Sequence, residues 1–468
     1  MREFRVEIVA VEVPHLGNRC HLVHDGRRAI VVDPPRDTRA VEAAAERAQV
    51  EITAVADTHI HNDYVSGALG LARRHGADYL LSAGEQVDFE RVGVRDGDVV
   101  PVGGLEVEVI ATPGHTRHHQ SFLVRPQQPG PHDAPGALLS GGSLLQGTVG
   151  RTDLVDPRLA ADLAGMQWAS AQVLAGLDPA TRLLPTHGFG SFCASTSTCT
   201  RVGEIVTLAD QHSANPALIL DRETFVSELL AGFGPIPRYY RHMAPLNRAG
   251  AGRATPRAAR PVTAAQVTDA VLGGSWIIDL RSRSAFADGH LAGSVSVEYG
   301  TQFATYVGWL VPWNDDIVVL SDTPDLLDAA LRDLADIGID DVATHVVSPG
   351  TAARALTASY RRADWTAFAV ESDTADATAH PRVVVDVRQR DEWEAGHLPG
   401  AIHLPVQDVE VRADELPDGE LWVHCRSGYR AGIASSLLHR HGRAVVHIDD
   451  AWERVAELQL PITTTVAA

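Results

Sequence analysis

Residues 277–295 read IIDLRSRSAFADGHLAGSV, and residues 384–402 read VVDVRQRDEWEAGHLPGAI. The two stretches repeat each other. Asp279 matches Asp386, Arg281 matches Arg388, Phe286 matches Trp393, and Gly-His-Leu recurs at 289–291 and 396–398. Further on, IVVLSDTPDLLDAALRDL (317–334) parallels LWVHCRSGYRAGIASSLL (421–438). Each unit opens on an apolar β-branched run, turns, takes up helical spacing, and does so again. The pattern predicts strand, helix, strand, tight loop, helix. Strands alternating with helices build parallel α/β domains, here a tandem pair.

The tight loop of the second unit carries the chemistry. Cys425 ends a strand, and CRSGYR leads into a helix. In that loop backbone N–H groups face the sulfur, with the positive end of the helix dipole behind them. Arg426 and Arg430 add cations, Gly428 permits the tight path, and Ser427 and Tyr429 complete the support. Such a cradle is expected to depress the thiol pKa and to hold a thiolate or an oxyanion. By itself it suits a phosphatase, an arsenate reductase or a sulfurtransferase. In the first unit Ser321 aligns with Cys425, Asp322 and Leu326 with the two arginines, and Pro324 with Gly428. A serine with no base is a poor nucleophile and Asp322 repels anions, so this unit is expected to be inactive.

Outward from the repeat, RAGAGRATPRAARP (248–261) has no apolar periodicity and reads as a linker. A weaker boundary falls at SDTADATAH (372–380). The expected layout is one domain over 1–247, the linker, an inactive domain over 262–365 and an active one over 370–468. The first domain has short strands ending in histidines. THIHNDY sets His59, His61 and Asp63 at alternate positions after a strand, pointing one way in extended backbone. His115 in TPGHT and His187 in LPTHGFGS arrive from other strand ends. Together they suit a divalent metal. His118, His119 and His132 lack that context and are expected at the surface. Cys193, beside His187, reads as an ordinary buried thiol, with relay of sulfur as the alternative.

Over 468 residues, 45% hydrophobic and 21% charged, the composition is that of an ordinary globular protein of several domains. Sixty acids against forty bases give a net charge of −20, which repels nucleic acid and anionic membranes. No run reaches the length of a membrane span. Four scattered cysteines do not make a disulfide framework. The start, MREFRVEIVAVEVP, alternates like a strand and lacks a signal-peptide core, so the expectation is a cytoplasmic protein with reduced thiols.

Two resemblances sharpen these readings. THIHND, TPGHT, GRTDL and THGFGSFC, spread over residues 1–245, are similar to the metallo-β-lactamase fold, and within it to the persulfide dioxygenase and glyoxalase II branch. The resemblance implies an αββα sandwich and one Fe(II) held by two histidines and an aspartate. His59 and His115 stand at the histidine positions; His61, Asp63 and His187 match the wider metal-site pattern. Two departures stand out: Tyr64 replaces a histidine, and Gly142 stands where the carboxylate is expected. The open alternatives are a site built from His59, His61 and His115, a site in which Asp63 or water replaces the carboxylate, or no metal at all; zinc is the alternative to iron. DVRQRDEWEAGHLPGAIHLP before CRSGYR resembles the rhodanese family over residues 370–468, and the central unit resembles it too. That implies sulfur transfer through a Cys425 persulfide, with Asp386, Arg388 and His397 as scaffold. One departure is Asp449-Asp450-Ala451-Trp452, where glycines are common; packing is expected to differ there.

The whole is similar to bifunctional persulfide dioxygenase–sulfurtransferases of bacterial sulfide detoxification. The implied partners are low-molecular-weight thiol persulfides, thiosulfate and acceptor thiols, with no nucleic acid and no membrane; a homo-oligomer is compatible. The competing expectations are a first domain that only docks or binds, and a thioester hydrolase of glyoxalase II type.

Overall fold

The computed structural model describes residues 6–128, 135–188, 192–194, 206–250, 260–347, 358–374 and 382–464. His132, Cys199, most of the 248–261 linker and most of the 372–380 boundary lie outside the described residues. The chain forms two compact units, Met1–Pro256 with Arg332–Ile339, and Arg257–Leu331 with Asp340–Ala468.

The first unit is built on two sheets. One has six strands in sequence order: Glu7–Val13, Asn18–His24, Arg28–Val32, Glu51–Ala56, Asp78–Ser82 and Val92–Val94. The other runs Arg182–Pro185, Ala137–Gly141, Gln120–Pro126, Leu105–Ala111, Val99–Val102. Alternation along these strands gives each sheet two apolar faces. Ile30, Val32, Ala54, Leu80, Val107, Phe122 and Leu139 meet between the sheets. The outer face of the first sheet buries Val31, Ile52 and Val55 against Val41 and Leu71 of the helices Arg39–Ala48 and Ala68–His75. The outer face of the second buries Leu123, Leu138 and Leu183 against Ala164, Ala171 and Leu174 of the helix Ala160–Ala175. The layers are therefore helix, sheet, sheet, helix, the αββα order that the resemblance implies. His59, His115 and His187 all follow the C-terminal ends of strands, so the sandwich delivers them to one edge.

The second unit holds two parallel five-stranded sheets with the same strand order. The central one runs Arg260–Pro261, Val342–Val346, Ile317–Ser321, Trp276–Asp279, Val295–Ser296. The C-terminal one runs Arg361–Ala363, Val445–Ile448, Glu420–His424, Arg382–Asp386, Ile402–His403. Strands such as WIID and IVVLS are buried throughout, as continuous apolar strands between helices must be. No helix among the described residues is long and apolar enough to cross a membrane.

Candidate metal centre and cysteine loop

His59, His115 and His187 are fully buried, and their ligand nitrogens lie within 4.8 Å of one another. Each ring is held by its Nδ1. His59 Nδ1 lies 2.9 Å from Thr58 Oγ1, whose own proton goes to Asp33. His115 Nδ1 donates to the Arg151 carbonyl at 2.7 Å, and His187 Nδ1 to Asn18 Oδ1 at 3.0 Å. These bonds fix the tautomer, so every Nε2 carries a lone pair. None of the three Nε2 atoms has a hydrogen-bond partner. Three buried lone pairs left unsatisfied in one place are costly unless an acceptor of electrons sits between them. Burial, with the neighbouring imidazoles, pushes His59 well below the usual histidine range and His115 to about 3; burial lowers His187 as well. Neutral rings are the form that binds a metal. The donor set thus fits a divalent cation.

His61 and Asp63 complete the neighbourhood. His61 turns Nε2 to Asp33 at 3.2 Å and to the Tyr64 hydroxyl at 3.0 Å, leaving Nδ1 unpaired. Burial disfavours its charge, but the Asp33 and Asp57 carboxylates outweigh that and raise it to about 10. Tyr64, where a histidine is expected, donates to the Asp33 carbonyl and closes that side. Asp63 accepts from Asn18 Nδ2 at 2.8 Å through one oxygen, and its other oxygen is unpaired. Asp33, Asp57 and His61 also approach one another. Asp33 and Asp57 are filled by Thr58, Thr186, Ser66 and Tyr79, which makes this a hydrogen-bonded support.

Gly142 offers no ligand, and a Cβ there would lie 2.3 Å from His115 Cδ2. The His115 ring occupies the space a side chain at 142 would need. His119 corrects an expectation: it is 1% exposed, not on the surface. Its Nδ1 meets Thr112 Oγ1 at 2.8 Å and its Nε2 accepts from the Gly142 N–H at 3.0 Å. The turn after Thr112 folds it inward to tie the glycine in place. His118 is half-buried and lines a cavity of about 1100 Å³ with Asn62, Thr116, Arg91, Arg117 and Arg241. Asn62 and Thr116 neighbour the ligands in sequence, and Asn62 Nδ2 and Thr116 Oγ1 are buried without partners. Cys193 is buried, with Sγ 3.9 Å from the Tyr240 hydroxyl, and burial raises its pKa well above the thiol value. The role of Asn18 had no signal in the sequence; Thr58 and Arg151 lie inside THIHND and GRTDL, but those motifs do not say that the two residues aim the imidazoles.

In the second unit Cys425 is 1% exposed, between the strand Glu420–His424 and the helix Tyr429–Arg440. Gly428 has φ +86°, and a Cβ there would stand 2.2 Å from Asp449 Oδ1. Only glycine meets both demands. The loop is tied at each step. The Trp452 N–H donates to the Arg426 carbonyl at 2.8 Å, and His447 Nε2 to the Gly428 carbonyl at 2.9 Å. Arg430 makes a two-pronged ion pair with Glu392 at 2.5 and 2.8 Å. Burial opposes the charge of Arg430; Glu392, with Tyr306 and Cys425 nearby, raises its pKa all the same. Arg426 stands in solvent, 3.6 Å from Glu453. Of the two arginines named from the sequence, Arg430 is the one held in the interior, by Glu392, while Arg426 projects outward. Ser427 contributes its carbonyl, 3.4 Å from Arg283, and the Tyr429 hydroxyl donates to the Glu298 carbonyl at 3.1 Å.

Asp449 explains the unusual Asp449-Asp450-Ala451-Trp452. It accepts from Arg283 at 2.6 Å and from Arg362 at 2.9 Å. Arg283 belongs to the central sheet's own segment, so that segment braces the cysteine loop. Beneath it the Arg388 guanidinium grips both Asp386 oxygens and lies 3.8 Å over the Trp452 ring, with His424 stacked on the same indole.

Comparison with known proteins agrees with both halves. Residues 370–458 match the rhodanese-like domain family. A hydroxyacylglutathione hydrolase of Acidiphilium cryptum is 33% identical over 38% of this chain and 67% of its own length. Other curated relatives of the same description are spanned over about half their length. A metallo-β-lactamase structure from Staphylococcus aureus superposes with a TM-score of 0.64 at 25% identity, covering 73% of this chain and 98% of that one. A second structure, ETHE1 from Myxococcus xanthus, is 25% identical with a TM-score of 0.43, covering 53% of this chain and all of that one.

Proposed function

We propose that this chain, which belongs to the glyoxalase II-like metallo-β-lactamase-fold family through its first domain and carries a rhodanese domain at its C-terminal end, is a two-site enzyme of sulfur metabolism. The observation that carries this is the place of Cys425. It is a buried thiol at the start of a loop whose next residues turn, through Gly428, into a helix N-terminus. The Cys425 thiolate attacks the outer sulfur of thiosulfate. The S–S bond breaks, its electron pair leaves on sulfite, and a cysteine persulfide forms. An acceptor thiolate then attacks the terminal sulfur, takes it as its own persulfide, and returns Cys425 as thiolate. Arg430, held by Glu392, sets a cation beside both anionic states; the helix dipole and the loop amides do the rest. The central unit, rhodanese-like in its motifs but with Ser321 in place of cysteine, braces the loop through Arg283.

The first domain oxidises a low-molecular-weight thiol persulfide, consuming one dioxygen and one water and releasing thiol and sulfite. Iron bound at the histidine cluster would supply the redox chemistry. Thr58, Arg151 and Asn18 aim the imidazole lone pairs, and Tyr64 closes the flank beside His61. Arginines along the neighbouring cavity draw an anionic thiol in. Joining the two sites in one chain raises the effective concentration of one product at the other. The second reading, a thioester hydrolase, is favoured by the curated relatives; the replacements Tyr64 and Gly142 weigh against it. Iron-loaded protein offered a thiol persulfide in an oxygen electrode, beside a lactoyl thioester assay, separates the two. Oxygen uptake with sulfite release supports the dioxygenase, and thioester cleavage without oxygen uptake replaces it.

A further inference from the structure

We propose that His187 is the third ligand of a single metal ion, joined by His59 and His115, so that the site is made of nitrogen alone and carries no carboxylate. This deepens, and rests on, the reading of the first domain as a metal enzyme. Among the described residues, three groups of side chains lie close enough to hold an ion: His59, His115 and His187; His61, Asp63 and His187; Asp33, Asp57 and His61. The last is consumed by its own hydrogen bonds, with Asp33 and Asp57 filled by Thr58, Thr186, Ser66 and Tyr79. The first two share His187, and its Nε2 has one lone pair. Two ions therefore cannot each have three ligands, and the site is mononuclear.

Geometry decides between the two groups that remain. In the first, each Nδ1 is bonded to a fixed oxygen and each Nε2 is free. In the second, His61 Nδ1 and Asp63 Oδ1 are also without hydrogen bonds, but they face each other at 3.9 Å as an ion pair, and the other Asp63 oxygen is held by Asn18. Asn18 binds the Asp63 carboxylate with its nitrogen and His187 Nδ1 with its oxygen, and the same Asp63 oxygen lies 3.5 Å from that Nδ1. Asp63 thus faces the edge of His187 turned away from Nε2. Gly142 supplies nothing, and the His115 ring fills its side-chain space.

The consequence is electrostatic. Three neutral imidazoles leave the full double charge of the ion uncompensated, where a carboxylate would cancel half of it. The open positions then favour an anionic soft donor, a thiolate or a persulfide, over water or a neutral carbonyl. The cavity beside the ligands leans the same way, with Arg91, Arg117, Arg241 and Arg248 on its walls against Glu85 and Asp88.

Cobalt(II) titrated into the full chain without substrate tests the proposal. Expected are about one ion per chain and X-ray absorption showing three imidazoles. His187→Ala is expected to weaken cobalt binding more than 100-fold, since loss of a supporting residue alone costs about 10–100-fold. Asp63→Ala is expected to stay within that smaller range. 3-Mercaptopropionate added to the cobalt protein should give a thiolate-to-cobalt charge-transfer band at lower concentration than cysteamine, its cationic counterpart. Two ions per chain, a carboxylate among the ligands of the wild-type protein, unchanged binding by His187→Ala, or equal titration by the two thiols would overturn it. The ligand count on wild-type protein stands even if His187→Ala fails to fold. Cobalt bound by three imidazoles in a protein whose iron form oxidises no persulfide would keep this inference and remove the dioxygenase reading.

Discussion

The central and C-terminal sheets have the same strand order and the same clasp, yet only one of them holds a thiol. In the central sheet Arg281 grips Asp279 at 3.0 and 2.6 Å and reaches the Gly289 carbonyl at 3.0 Å. In the C-terminal sheet Arg388 grips Asp386 at 3.0 and 2.6 Å and reaches the Gly396 carbonyl at 2.6 Å. His290 stacks on Phe286 with centroids 4.0 Å apart, and His397 on Trp393 at 3.5 Å. The divergence is confined to one loop. Ser321 accepts from the Thr323 N–H at 3.2 Å and stands beside Asp322, and Pro324 opens the next helix. Proline has no N–H to offer and cannot take the positive φ of Gly428. A fold can thus keep its clasp and lose its cradle. The two segments part at that loop, and Arg283 of the central segment reaches Asp449 and the Ser427 carbonyl beside the loop of the other.

Four changes break or sharpen that contrast. Cys425→Ser should abolish thiosulfate-to-cyanide sulfur transfer, and Ser321→Cys in the same background should not restore it, because Asp322 and Pro324 remain. Thiocyanate formation reads both. Gly428→Ala forces a Cβ into the left-handed region and onto Asp449, at a cost of about 1–3 kcal/mol, and transfer should fall at least tenfold. Chemical denaturation and turnover together check it. Arg283→Ala removes one of two cations from Asp449. The pair is partly exposed, so a loss of about 1 kcal/mol and a several-fold slower transfer are expected, though Arg283 lies outside the C-terminal sheet.

The smallest effect is in pH. Burial tends to raise Glu392, but Arg430 outweighs it and holds the carboxyl below its usual value. A carboxylate depressed in the folded state stabilises fully above its unfolded pKa, near 4.5, and loses that contribution as pH falls through the lower folded value. The Glu392 contribution should therefore be level above about pH 5 and fall on acidification, so Glu392→Gln should decline less steeply below about pH 5; the loss that starts below about pH 6.5, as the buried neutral His59 and His115 are forced to protonate, should be common to both proteins. Thermal melts across that range measure it.

Much of this was legible in the sequence for a physical reason. The internal repeat reports strands, clasp and loop twice over, so Asp386, Arg388 and Cys425 stood out before any geometry. His59, His115 and His187 were visible as candidate ligands because each follows a strand end. What escaped depends on partners distant along the chain. Nothing near His119 signals that it holds the Gly142 N–H, and nothing near Asn18 signals that it bridges Asp63 and His187. Arg426 and Arg430 look equivalent in CRSGYR. Only the backbone path shows that one enters the helix beside Glu392 and the other projects into solvent.

The most direct test of the central claim is peptide mass mapping after brief exposure of the full chain to thiosulfate. The account predicts that the peptide containing Cys425 gains one sulfur atom and loses it again when cyanide is added. A Cys425 peptide of unchanged mass, in protein that still forms thiocyanate, would contradict it.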